Sequence, residues 1–190
     1  LAKITFANPK FKEVVKLNSG NYQFEVSQNL IVEVDSEDQR VSTSEVSSRY
    51  LNYLQKSSSY QILGEVEKKS WNKSDSMSSF KMKEERQTDH GDMEIVGKSK
   101  IVVGSDEFFY HFMSSKIQAS GNASYTKSEV QMVHMQVENS STYILEFVKK
   151  VEVDKPFLAP RSIFESRVKE GMRKDIEDFA REHLSLIRGV

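Results

Sequence analysis

The strongest constraint in this 190-residue chain is an apolar stripe close to its C-terminus. Phe164, Val168, Met172, Ile176, Phe179, His183 and Ile187 recur at steps of three or four, which puts them along one side of an α-helix. Arg167, Lys174, Glu177, Arg181 and Arg188 fall on the opposite side. Pro156 and Pro160 punctuate the approach. Ser162-Ile163-Phe164-Glu165 reads as a capping box, in which serine caps free N–H groups and glutamate reaches back. The pattern predicts a helix over residues 162–188, about 40 Å long at roughly 1.5 Å per residue. That length can cross the whole concave face of a sheet. The polar side mixes acids with bases, which fits docking onto the chain's own sheet better than lying on a bilayer.

The remainder supplies strands. Tyr22, Phe24, Val26, Leu30, Val32 and Val34 share one parity, interrupted only by Gln28, and predict a first strand region at 22–34 with one buried face and a break near Ser27–Asn29. Residues 1–20 form an N-terminal extension in which Pro9 divides Ile4 and Phe6 from Val14, Val15 and Leu17. Ser42-Thr43-Ser44-Glu45 is another capping box, and Val46, Tyr50, Tyr53 and Leu54 follow at helical spacing, so a short helix is expected at 43–55. Residues 60–153 read as long strands, with turn signals at Asp89-His90-Gly91-Asp92, Gly104-Ser105-Asp106, Ser120-Gly121-Asn122 and Glu138-Asn139-Ser140-Ser141. No helical crossover separates them, which means an antiparallel meander. Strand phase stays open at 107–117 and 130–137, which are apolar on both parities. The expected fold class is α+β: a curved antiparallel sheet wrapped around a long C-terminal helix, residues 1–190 making one domain.

Composition removes several functions. There are 27 basic and 28 acidic side chains, a net charge of −1, without the basic excess that phosphate binding needs, so no nucleic-acid partner is expected. The chain has no cysteine and therefore no thiolate metal site or cysteine nucleophile. No apolar run approaches the roughly 18 residues of a membrane span. The chain starts at Leu1 rather than Met, so a processed or truncated N-terminus is expected, and the compartment is open between cytoplasmic and exported. His90, His111, His134 and His183 show no helical ligand spacing, and a His-Glu-x-x-His pattern, a Gly-x-Ser-x-Gly elbow and a phosphate-binding glycine loop are all lacking. No metal and no cofactor are expected. His183, alone on an apolar stripe, reads as a hydrogen-bonded core or rim residue.

The order of Leu30–Val34, Ser42–Leu54, Tyr60–Val153 and Lys155-Pro156 to Ile187 resembles the START and polyketide-cyclase-like (SRPBCC, Bet v 1-like) helix-grip superfamily, in layout rather than in any motif. The resemblance implies binding or transfer of an apolar small molecule, a lipid, sterol or polyketide-like compound, in a cavity between sheet and C-terminal helix. It implies in some members cyclase or hydrolase chemistry in the same cavity. Phe164, Val168, Met172 and Ile176 are expected to line one wall, and Phe80, Met82, Phe112, His134 and Phe147 the other. Pliable Met and flat aromatic surfaces suit an adaptable ligand site, although the same side chains also suit a filled core in a structural or interaction domain. Catalysis, if present, would fall to His111 or His134 as general acid–base groups, oriented by Tyr110 or Tyr143. A polar handle for the ligand's head group needs fewer assumptions, so binding is preferred over an enzyme. Lipid delivery would add transient membrane contact, through loops such as Asp154–Pro160. Oligomeric state does not follow from the residues.

Overall fold

The computed structural model describes the backbone of residues 3–35, 42–73, 75–104, 107–139 and 141–188, and the side chains of these except 107–116 and 186–188. Strands β1 (Lys3–Phe6), β2 (Lys10–Phe11), β3 (Val15–Lys16) and β4 (Tyr22–Glu33) lead to helix α1 (Thr43–Lys56). Strands β5 (Tyr60–Ser70), β6 (Ser76–Thr88), β7 (Gly91–Val103), β8 (Glu107–Ala119), β9 (Thr126–Asn139) and β10 (Thr142–Val153) follow, and helix α2 (Arg161–Arg188) ends the order. The strands form one antiparallel sheet in the order β1-β4-β10-β9-β8-β7-β6-β5, with β2 and β3 also on β4. β5 to β10 form a meander, and β10 then pairs with β4. This pairing brings the first long strand beside the last, from Thr142↔Glu33 to Val153↔Tyr22.

β4 shows how sequence sets this layer. Its six even-numbered residues from Tyr22 to Val32 are all buried and the odd ones are not. The expected break near Ser27–Asn29 does not occur. Gln28 keeps its inward place because its Nε2 donates to the Ala7 carbonyl at 3.0 Å, so the ladder runs on. That bond also shows the role of residues 3–16. They are a segmented edge strand along the whole of β4, with Pro9 at the gap between β1 and β2. Phe11 then meets α2, with Lys169 and Arg173 5.7 and 5.5 Å from its ring centre. The N-terminal extension thus joins the sheet as its edge.

Irregular registers bend the strands. The β5–β6 pairing shifts between Leu63 and Glu67, where Gly64 has φ +77°, and the β7–β8 pairing shifts between Val96 and Gly97. Bulges of this kind kink a strand and increase its twist. The concave side so formed holds α2. Phe164 packs edge-on against Tyr22 and Phe24, at 5.5 and 5.7 Å, and Phe179 against Phe147 at 5.6 Å. The helix therefore passes from β4 onto β10.

α1 starts where expected, and α2 does not. Ser42 caps α1 through Glu45 N–H, but the Glu45 carboxylate pairs with Arg49. At α2 the serine does not cap. The Pro160 carbonyl accepts Phe164 N–H at 3.0 Å, so the helix starts at Arg161, and Glu165 binds Arg161 at 2.8 Å. On α1, Val46, Tyr50 and Leu54 are buried with Thr43, whose hydroxyl donates to the Gly104 carbonyl, while Tyr53 stands outward.

Candidate functional site

The space between sheet and α2 divides into an apolar floor and a polar mouth. On the floor, Met82, Ile95, Ile101, Met135, Leu145 and Phe147 are fully buried. Of the residues expected to line a cavity, Met82, Phe147 and Ile176 expose nothing to a water-sized sphere. Phe80, Phe164 and Met172 are buried, and Val168 is half-buried. Seven expected wall residues thus belong to one core cluster, and no water-sized void touches Met82, Phe147 or Ile176.

His134 belongs elsewhere. Glu129, Gln131, Val133 and Met135 face inward on β9, following the β10 residues Val151, Lys149, Phe147 and Leu145 that sit opposite them. His134 lies opposite the exposed Glu146 on the convex face, so it neither lines the helix side nor works with the inward-facing Tyr143. Phe112, His111 and Tyr110 fall among the side chains outside the described residues.

Sequence reasoning missed the polar mouth. Glu129 is buried and held by Arg86, Lys149 and Gln131. Arg86 Nη1 lies 3.1 Å from both of its oxygens, Lys149 Nζ lies 2.6 Å from Oε1, and Gln131 Nε2 donates to Oε1 at 3.1 Å. Arg86 also makes a forked pair with Glu84, and Lys149 reaches Asp175 on α2 at 2.8 Å. Burial works against the charge on Glu129, but Arg86 and Lys149 outweigh it and hold the carboxyl at about 2. Burial likewise opposes charge on Arg86, and the Glu129 and Glu84 carboxylates more than offset it, raising its pKa above the ordinary value. On the neighbouring face of α2, partial desolvation and then Glu84 raise the Glu182 carboxyl. In the sequence, Glu84 and Arg86 sit in a run that interleaves acids and bases, Lys83-Glu84-Glu85-Arg86. Their parity with inward Phe80 and Met82 was the available signal.

His183, on α2 beside Phe147, is fully buried. Its ring stacks on Tyr50 at 4.9 Å and meets Phe147 and Phe179 edge-on at 5.4 and 4.7 Å. Nδ1 lies 3.0 Å from the Phe179 carbonyl, which can only accept, so that nitrogen carries the proton. Burial lowers the imidazole to about 4, against a smaller opposing effect of that bond. Nε2 is left an acceptor with no partner, as is Gln28 Oε1. Both flank Phe147, Gln28 as its β4 neighbour in register.

The mouth opens to water through a groove of about 830 Å³. Ser58 and Ser59 after α1, Glu84 to Gln87 on β6, Asp92 to Glu94 on β7 and Gln118 to Ser120 after β8 surround it. Its apolar surface comes from Met93 and Ala119, and it carries four carboxylates, Glu84, Glu85, Asp92 and Glu94, against Arg86. Among the described residues, histidines and carboxylates do not gather into a metal-binding group, and no helix is long and apolar enough to cross a membrane.

No protein-family model matches the chain, and no curated protein matches it significantly. Solved structures do. A START superfamily protein from Mycobacterium smegmatis is similar at 14% identity and TM-score 0.43, over 87% of this chain and 94% of that one. The Zhui aromatase/cyclase from Streptomyces sp. R1128 is similar at 11% identity and TM-score 0.41, over 87% and 96%. Human STARD10 is similar at 9% identity and TM-score 0.40, over 91% and 73%. The chain's own fold is a curved antiparallel sheet with its last helix packed on the concave side.

Proposed function

We propose that the protein binds a small amphipathic molecule at the groove, with an apolar body against Met93 and Ala119 and a neutral hydroxylated or cationic end among the carboxylates. The observation that carries this reading is the continuous polar path from solvent through the groove to Arg86 and on to buried Glu129, inside an otherwise apolar interface. An interface serving only to fix α2 gains little from buried charge, since desolvation cancels most of the attraction. The groove's volume lies within the range of small-molecule sites, roughly 300–1,000 Å³. The close packing around Met82, Phe147 and Ile176 favours a ligand at the mouth over one at the centre of the grip. Arg86 is held by Glu84 and Glu129, and Lys83 lies 3.8 Å from Glu85 and 3.3 Å from Glu94, so the carboxylates still outnumber the cations around the groove, which disfavours a phosphate or carboxylate head and favours a sterol-like hydroxyl or an amine.

The test compares fluorescent analogues of a sterol, a sphingoid base and a fatty acid in titrations of the purified protein. Sterol or amine probes should bind more than tenfold tighter than the fatty acid. Ala119→Trp, a plug on the half-buried groove floor, should weaken that binding while leaving the unfolding temperature unchanged. Absence of binding by all three probes, together with no lipid-like mass in native mass spectra of freshly purified protein, would end the proposal.

A further inference from the structure

Two adjacent apolar side chains stand in water just before α2. Phe157 is 95% exposed and Leu158 89%, whereas Phe6, Val15, Tyr53, Trp71 and Ile163 are 42–53% exposed and so lean on the surface. The turn that presents the pair is firmly built. Ala159 N–H donates to the Pro156 carbonyl at 3.0 Å, and Lys155 Nζ donates to the Pro156 and Ala159 carbonyls at 3.2 and 2.8 Å. The Pro160 carbonyl is taken by Phe164 N–H. Proline at each end removes two more backbone donors and limits the chain's freedom. The tip therefore holds its apolar side chains outward with its carbonyls at 156, 159 and 160 already satisfied, which suits a segment that leaves water.

We propose that Phe157 and Leu158 form a wedge that docks the protein on a lipid bilayer. The occupant follows from area and charge. An aromatic side chain offers roughly 150–250 Å² and leucine somewhat less, well short of the about 800 Å² per partner that a stable protein interface buries. A bilayer accepts a wedge of this size, because insertion needs only a few side chains below the head groups. Lys16 and Arg161, both over the Tyr22 ring at 5.9 and 5.3 Å, and Lys155 collar the tip with cations suited to lipid phosphates. Of the nearby carboxylates, Glu165 pairs with Arg161 and Glu152 accepts from Asn21, each at 2.8 Å, while Asp154 is exposed at the base of the tip. Position gives the wedge a use. Asp154 N–H donates to the Tyr125 carbonyl at 2.7 Å, and the turn ending there begins beside Ser120, which lines the groove. A docked wedge brings the groove mouth to the bilayer. The inference stands on the tip itself and does not depend on the groove's ligand.

Vesicle flotation with phosphatidylcholine, with and without phosphatidylserine, provides the test. The native chain should float with vesicles, more with phosphatidylserine present. Phe157→Glu with Leu158→Glu should lower partitioning by about tenfold or more at an unchanged unfolding temperature, because these side chains are so exposed. Phe157→Trp combined with Trp71→Phe should give emission that shifts blue on vesicle addition and is quenched by brominated lipid. Failure of the native chain to float with either lipid overturns the proposal. Equal flotation of the double glutamate variant overturns it too, as does self-association without flotation that the same variant abolishes. Ala119→Trp separates the two readings, since it should lose probe binding while floating normally.

Discussion

Replacing His183 with phenylalanine probes the clamp between the two helices and β10. The native imidazole is neutral and fully buried, at about 4 against an ordinary value of 6.5. Because the unfolded chain takes up a proton near pH 6.5 and the folded chain does not, protonation favours unfolding throughout the interval between those values. The stabilisation is complete above pH 6.5, falls as pH drops, and is spent by about pH 4. The gap corresponds to roughly 3 kcal/mol in total, of which about 2 kcal/mol is lost between pH 8 and pH 5. Spread over a chain of this size, that is a drop of roughly 4–8 °C in unfolding temperature. Phenylalanine keeps the ring contacts with Tyr50, Phe147 and Phe179 and cannot titrate. At pH 8 it gives up the bond to the Phe179 carbonyl, about 1 kcal/mol, and removes a buried acceptor without a partner, a relief of about 1–3 kcal/mol. The variant should match or exceed the native protein at pH 8 and exceed it clearly at pH 5. Urea unfolding at pH 8, 6 and 5 measures both effects, and subtracting the two profiles cancels the carboxylates common to both. Parallel profiles would refute the reasoning, and so would an NMR titration of the His183 ring with a midpoint near 6.5.

Glu129→Gln should destabilise by about 3 kcal/mol in urea unfolding, since it removes the buried charge that Arg86 and Lys149 share and leaves each only its outer partner, Glu84 or Asp175. The same carboxyl, held at about 2 against an ordinary 4.5, contributes stability that is full above pH 4.5 and lost as pH falls toward 2, so the acid limb of the stability profile should flatten in that variant. Gly91→Ala should cost about 1–3 kcal/mol by calorimetry: Gly91 has φ +132°, and an added Cβ would come within 2.0 Å of the Ser120 carbonyl oxygen, which is backbone and has no rotamer to yield. Gln28→Leu should be nearly neutral, within about 1 kcal/mol, because it removes the orphan Oε1 along with the bond to Ala7; a large loss would show that this single bond pins the N-terminal edge strand.

What the sequence revealed and what it hid follow the same physics. β4 and α2 were legible because each buries one side only, so burial writes its own period into the residues: even positions from Tyr22 to Val32, and Phe164, Met172, Ile176, Phe179 and His183 along the helix. β9 was not, since Val130 and Met132 are as apolar as Val133 and Met135. Its phase comes from β10, whose Leu145 and Phe147 face inward opposite Met135 and Val133, and that pairing is a tertiary fact. His134 was assigned to the wrong face for this reason. The charged mouth was hidden more deeply. A buried carboxylate looks like a surface residue until its partners are known, and those of Glu129 come from β6 and β10, 43 residues before it in the case of Arg86. Hydrophobic patterning can place such residues only by parity, and parity points outward whenever charge is taken to mean exposure. Glu84 and Arg86 after Phe80 and Met82, and Lys149 after Leu145 and Phe147, keep the inward period while changing chemistry. A strand that holds its period while its residues turn from apolar to charged of both signs therefore marks where a core gives way to a polar site, and the groove opens at that point on β6.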